Sequence, residues 1–347
     1  MAREIFPLDR QLELWEKHWS AGLAKEAVWL SGVVGSYEAA EAVMSRVGKV
    51  QMSDSTIWRR VEKWGQRFIE VEQEQCHLAN RMPVRNELLR PNQQQDGRVG
   101  AAMDGAMVHI LDEGWKELKV GCVFDLEIQP TFDKESREWL DMAHATNNSY
   151  VAHLGGPEQF GQLLWSQAQG RGWEQHFDTQ VIGDGATWIW NLTNQHFFDS
   201  VQTVDWYHAS QHLHTAAQAC YPDNPAWAQR WYRQAKTTLF QGSVDKIVGS
   251  LRKRAKKQPQ FAEILGTEAG YFQNNKRRMD YLTFREEGYL IGSGTVESGA
   301  KQFKARFTGP GMRWSRPGIE RLIPIRSAIL SRSFDALWPN VYNSPHN

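Results

Sequence analysis

The chain has only three cysteines in 347 residues, Cys76, Cys122 and Cys220. They lie far apart with no Cys-x-x-Cys pair, which argues against a disulfide framework or a thiolate zinc site and leaves them as small buried hydrophobes. Net charge is also missing. Forty Lys and Arg balance forty Asp and Glu, so there is none of the basic surplus that phosphate neutralisation usually leaves in a dedicated nucleic-acid binder. No apolar run is long enough to span a bilayer, and "MAREIFPLDRQLELWEKHW" lacks the unbroken apolar core of a secretory signal. A cytosolic protein with no membrane partner is expected. A phosphate cradle is absent as well: counting from Gly294 to Gly299, the positions a P-loop gives to Lys and Ser or Thr hold Ala300 and Lys301. There is no internal repeat and no low-complexity segment.

The length allows two or three domains, or one core carrying a large insertion. Sixteen tryptophans are many for this length. "LRKRAKK" (Leu251 to Lys257), "NNKRRM" (Asn274 to Met279) and the stretch from Lys301 to Arg326 are locally basic. Near the N-terminus, "SYEAAEAVMSRVG" places Tyr37, Ala40, Val43 and Val47 at helical spacing with Gly48 as a stop. "MSDSTIWRRVEKWGQRF" then starts at a Ser/Asp cap and sets Ile57, Val61 and Trp64 on one face, with Arg59, Arg60 and Lys63 around the rest. Two helices on a short turn, the second basic, fit a helix-turn-helix or a plain helical hairpin. Residues 71–98 read as a helix end and linker. "VGAAMDGAMVHIL", a "DEG" turn and "WKELKVGCVFDLEI" form an antiparallel hairpin, followed by a charged loop and an amphipathic helix at "GGPEQFGQLLWSQAQ". Short apolar runs at "TQVIGDGA" and "SVQTVDWYH" flank a helical "TWIWNLTNQHF", the alternation of an α/β sheet packed on both faces. From Ala209 to about Arg285 strand signals vanish and helix is expected.

Asp104 and Asp184 each sit in an apolar, strand-like run and are followed by glycine. An acid there costs several kcal/mol unless it is paired, metal-bound or at an open strand end. Each can be a simple Asp-Gly turn, but two in similar settings point to the edge of one sheet where ligands gather. Glu297, on the first turn of a helix after Gly-Ser-Gly-Thr-Val, can join them or merely complement the helix dipole. Three clustered carboxylates resist ionisation unless divalent cations neutralise them, and a pair of Mg²⁺ ions about 4 Å apart suits in-line phosphoryl displacement. Asp205, His208 and His212 fall at i, i+3 and i+7 with His214 close by, a spacing that leaves a zinc hydrolase open. Ala209, however, stands where a metalloprotease would place Glu, and His208 reads as an active-site neighbour. Trp227 and Trp231, one turn apart beside Arg230 and Arg233, are either core or a stacking platform for bases. Lys301, Lys304 and Arg306 are either a solvated face or a phosphate grip.

"MDGAMVHI…WKELKVG", "GDGATWIWNL", "VDWYHASQHL" and "IGSGTVESGAKQFKARF…GPGMRWS", in this order, resemble the bacterial insertion-sequence DDE transposases of the Kra type. The resemblance runs from "FPLDRQLEL" (Phe6 to Leu14) over nearly the whole chain. It implies an α/β fold with a ribonuclease-H-like mixed-sheet core, interrupted by an all-helical insertion and preceded by a helix-turn-helix region. The implied layout is 1–70 helical with helix-turn-helix, 71–98 linker, 99–208 first part of the core, 209–288 insertion, 289–330 core completion, and 331–347 a C-terminal tail. Asp104, Asp184 and Glu297 would be the catalytic, metal-binding triad for two Mg²⁺ or Mn²⁺, and "DWYH" the Asp-x-x-His element with Asp205 and His208. Arg59, Arg60 and Lys63 would bind terminal inverted repeats, while Lys301, Lys304, Arg306 and Arg313 grip backbone. The enzyme would cut the element's ends and join them to target DNA as a homodimer or larger assembly. A non-catalytic DNA-binding descendant would keep the fold without metal. Relatives carry an upstream Cys-rich module, so a separate Cys-rich polypeptide, or a split or truncated enzyme, is also expected.

Overall fold

The structure, a computed structural model, describes residues 19–80, 96–133, 137–309 and 311–343. Three helices come first: α1 (Ala21–Val33), α2 (Tyr37–Arg46) and α3 (Asp54–Asn80). Ser20 and Ser36 accept hydrogen bonds from the amides of Leu23 and Ala39, capping α1 and α2. The second helix of the expected pair is α3, which runs more than three turns beyond Phe68. The first part of the expected linker is α3, residues 81–95 lie outside the described residues, and β1 begins at Arg98.

A five-stranded sheet follows, built from β1 (Arg98–Ile110), β2 (Gly114–Asp133), β3 (Glu138–Leu154), β4 (Thr179–Gly183) and β5 (Val201–Val204). Its order is β3-β2-β1-β4-β5. The first three strands form an antiparallel meander, and β4 and β5 add in parallel to β1. The predicted hairpin is present, with Arg98 opposite Leu126 and Ile110 opposite Gly114. The charged loop expected after it is instead largely β3. That edge strand is half-exposed for most of its length and buries residues only near its end, so it carries no apolar alternation to read.

Helices cover both sheet faces because β1 is apolar on both. Val99, Ala101 and Met103 pack into one core with α4 (Pro157–Gly170), α5 (Thr187–His196) and the helical block. Ala102, Ala106 and Val108 enter the other core with α1, α3, α11 (Gly294–Phe307), α12 (Arg316–Leu330) and α13 (Phe334–Asn343). The block comprises α6 (Trp206–Cys220), α7 (Pro225–Phe240), α8 (Val244–Lys257), α9 (Ala262–Asn275) and α10 (Tyr281–Glu286), close to the expected span.

The segment expected as a tail is corrected: it contains α13, whose Trp338 and Tyr342 are buried against Trp64. Large apolar rings at that spacing cannot be left in water when a facing helix offers the same chemistry. At the crossing of α3 and α12, a Cβ on Gly65 would lie 2.5 Å from the Arg321 carbonyl oxygen, so the backbones touch only because no side chain stands between them. Among the described residues, no helix is long and apolar enough to cross a membrane.

Candidate active site

Strand register assembles the site. Ala102 pairs with Ile182 and Gly183 with Val204. Continuing those ladders sets Asp104, in the middle of β1, beside Asp184 and Asp205, which directly follow the carboxyl ends of β4 and β5. Alternation along β1 and β4 turns Asp104 and Asp184 to the same face as Ala102 and Ile182, the face covered by α11. Glu297 arrives on the first turn of α11, one residue after buried Val296, which anchors that turn in the core.

The tightest cluster among the described residues is Asp205, His208 and Glu297, whose ligand atoms all lie within 4.8 Å of one another. The triad expected from the sequence was Asp104, Asp184 and Glu297, so Asp205 and His208 stand closer to Glu297 than the role of neighbours implied. Asp104 adjoins this cluster. Burial pushes its carboxyl above the usual range and Asp184 pushes the same way, while the Gly105 amide, His208 and Lys304 oppose them. Lys304 and Lys301 follow Glu297 at i+7 and i+4, both exposed, with Lys301 Nζ 3.8 Å from the Glu297 carboxylate. The exposed cations of α11 therefore line the mouth of the acid cluster.

Asp205 has a second task. It caps α6 by accepting the His208 amide at 2.8 Å, and its other oxygen accepts the amide of Ser293 at 2.5 Å and its hydroxyl at 2.8 Å. One buried carboxylate thus ties the start of α6 to the start of α11, fixing His208 relative to Glu297. Gln180, buried in β4, clamps the same loop: its side chain donates to the Leu290 carbonyl at 2.6 Å and accepts the Leu290 amide at 3.0 Å. Neither Ser293 nor Gln180 was singled out in the sequence. A glutamine inside the apolar "TQVIG" run was the available signal, since a buried amide must find partners.

His212 does not complete a histidine pair with His208. Its Nδ1 lies 2.7 Å from Glu268 of α9 and its ring stacks on Tyr271. Trp231 packs against the core on the helical side of the sheet, whereas Trp227 is exposed, stacked on Tyr221 with the Arg230 guanidinium 5.3 Å from its ring. The expected two-ring platform is thus reduced to Trp227.

Among the cations expected to meet DNA, Arg59 and Arg313 are exposed and Lys63 is half-buried. Arg60 turns inward over the rings of Trp19 and Trp64 at 5.0 and 5.9 Å. Arg306 is a correction: it is 1% exposed, donates from Nε to the Ser31 carbonyl at 2.8 Å, and stacks over Trp314 at 5.0 Å. Burial lowers its pKa to about 10, helped by Arg326 and opposed by Tyr37. Arg306→Met should therefore cost about 1–3 kcal/mol in urea unfolding, because it leaves the Ser31 carbonyl without a donor, and should leave DNA affinity in a mobility-shift assay unchanged. A drop in affinity without a drop in stability would return Arg306 to the set of residues expected to contact DNA.

No protein-family model and no curated protein matches the chain.

Proposed function

We propose that the protein is a DNA transposase of a bacterial insertion sequence, working in the cytoplasm at a DDE-type site. The observation carrying this reading is the convergence of Asp104, midway along β1, with Asp184 and Asp205, which follow the neighbouring strands β4 and β5, near Glu297. A three-stranded meander extended by two parallel strands, with a helical block between β5 and the Glu297 helix, supports the ribonuclease-H-like core with insertion. Lys304 beside the acids supports a polyanionic substrate, since a cation there would repel a cationic one.

The donors fit hard divalent cations. Carboxylate oxygens dominate, burial and the neighbouring Asp184 raise the Asp104 carboxyl above its usual range so that added positive charge would favour its ionised form, and hard cations prefer oxygen ligands. Mg²⁺ or Mn²⁺ bound there would supply that charge and lower the pKa of a nucleophilic water. Asp104, Asp184 and Glu297 would hold the ions, with Asp205 fixing the His208 end of the cluster. Lys301 and Lys304 would seat the DNA backbone across the acids, so the 3′ hydroxyl released by cleavage stays in place to attack target DNA. Terminal inverted repeats and target DNA are the expected partners, and a homodimer would bring paired ends together.

The test uses DNA carrying the sequences that flank this chain's own coding region. Strand cleavage should require Mg²⁺ or Mn²⁺, stop with chelator, and be lost in Asp184→Asn. A folded protein that binds this DNA but cleaves it with neither metal would leave the non-catalytic reading. The imidazole of His208 beside Asp205 and Glu297 favours one other reading, a zinc hydrolase. Zinc that copurifies stoichiometrically and survives dialysis would select it.

A further inference from the structure

The helical block touches the site at one place that the roles above leave unassigned. The Asp184 carbonyl accepts a hydrogen bond from the Tyr271 hydroxyl on α9 at 2.8 Å. Gly185, the next residue, has φ +103°, and a Cβ there would meet the Tyr271 ring at 2.7 Å and the Asn275 amide at 3.2 Å. The turn is thus seated directly on α9. On its other side the Asp184 carboxylate accepts the Ala186 amide at 2.8 Å. Tyr271 is itself held: His212 stacks on its ring at 3.6 Å and 19°, and the buried Glu268 holds His212 through Nδ1 at 2.7 Å.

Resting on the transposase reading, we propose that Tyr271 is a positioning residue for Asp184, its hydroxyl and ring fixing the Asp184–Gly185 turn so that the carboxylate faces the acid cluster. The helical block then serves as the outer support of a metal ligand, with Glu268 and His212 as the props behind Tyr271. Groups that orient metal ligands commonly contribute ten- to a hundredfold to metal affinity.

The experiment measures Mn²⁺ binding directly, from the loss of the free-ion paramagnetic resonance signal, in wild type, Tyr271→Phe, Glu268→Gln and Asp184→Asn. Tyr271→Phe removes one oxygen and keeps the ring. It should weaken Mn²⁺ about tenfold and raise the Mn²⁺ needed for half-maximal cleavage by the same factor, with metal-free DNA binding unchanged and the thermal midpoint lowered only by the loss of this one hydrogen bond. Glu268→Gln, which keeps side-chain shape, should weaken Mn²⁺ by a smaller factor in the same direction and covers the case in which Tyr271→Phe folds poorly. Wild-type affinity in both variants, while Asp184→Asn loses it, overturns this inference and leaves the transposase reading standing. A wild type that takes up no Mn²⁺ overturns both.

Discussion

Glu297→Gln should cut metal-dependent DNA cleavage by roughly a thousandfold, equivalent to about 4 kcal/mol of transition-state stabilisation, while the protein stays folded. The asymmetry comes from where Glu297 sits. Its neighbour Val296 holds the first turn of α11 in the core, and glutamine keeps the same stem and volume. What stability the charge contributes is small: an acid on a first helical turn gains about 0.3–1 kcal/mol from the dipole. The 3.8 Å contact with exposed Lys301 adds little more, because solvent screens it. The lost charge, by contrast, lies within 4.8 Å of the ligand atoms of both Asp205 and His208. Cleavage rate at saturating Mn²⁺, set beside the thermal midpoint, checks both halves. Activity retained in the glutamine variant would remove Glu297 from the site.

Trp64→Ala should produce the largest loss of stability in the molecule, about 3–5 kcal/mol, as expected for truncating a fully buried indole. Trp64 is 1% exposed and meets Trp19, Trp338 and Tyr342 with ring centroids 6.1, 5.7 and 6.2 Å away. The cavity cannot close easily. Arg60 leans on the same ring, and Gly65 beside it locks the α3 backbone against α12, so neither helix can slide inward. Against a total of about 5–15 kcal/mol for a typical domain, such a loss would lower the urea midpoint sharply with little change in its slope. A shift under about 1 kcal/mol would mean that the ring cluster is not a shared core.

How much of this was legible in advance differs from element to element, for physical reasons. The β1–β2 hairpin, β4, β5 and the helical block carry their own periodicity and turn residues, and each was readable. The edge strand β3 was not, because a strand solvated on most positions has no apolar alternation to betray it. Helix α13 escaped because its partners, Trp19 and Trp64, lie some three hundred residues away in sequence, and nothing local signals a distant aromatic cluster. At the site, the acids were visible as charges set in apolar runs, whereas their relative distances depend on strand register and on the cap that Asp205 places on α6. Arg306 misled for a related reason: it sits among exposed cations at helical spacing, and only packing against α1 turns it inward.

The pairing of α13 with α1 and α3 also bears on how the protein is made. A ribosome delivers residues 21–80 long before residues 334–343, so the nascent N-terminal helices wait with Trp64 uncovered until α13 has been made. Their closure waits on a helix made more than two hundred and fifty residues later. A chain released before α13 is made would display the aromatic surface around Trp64 to chaperones and proteases.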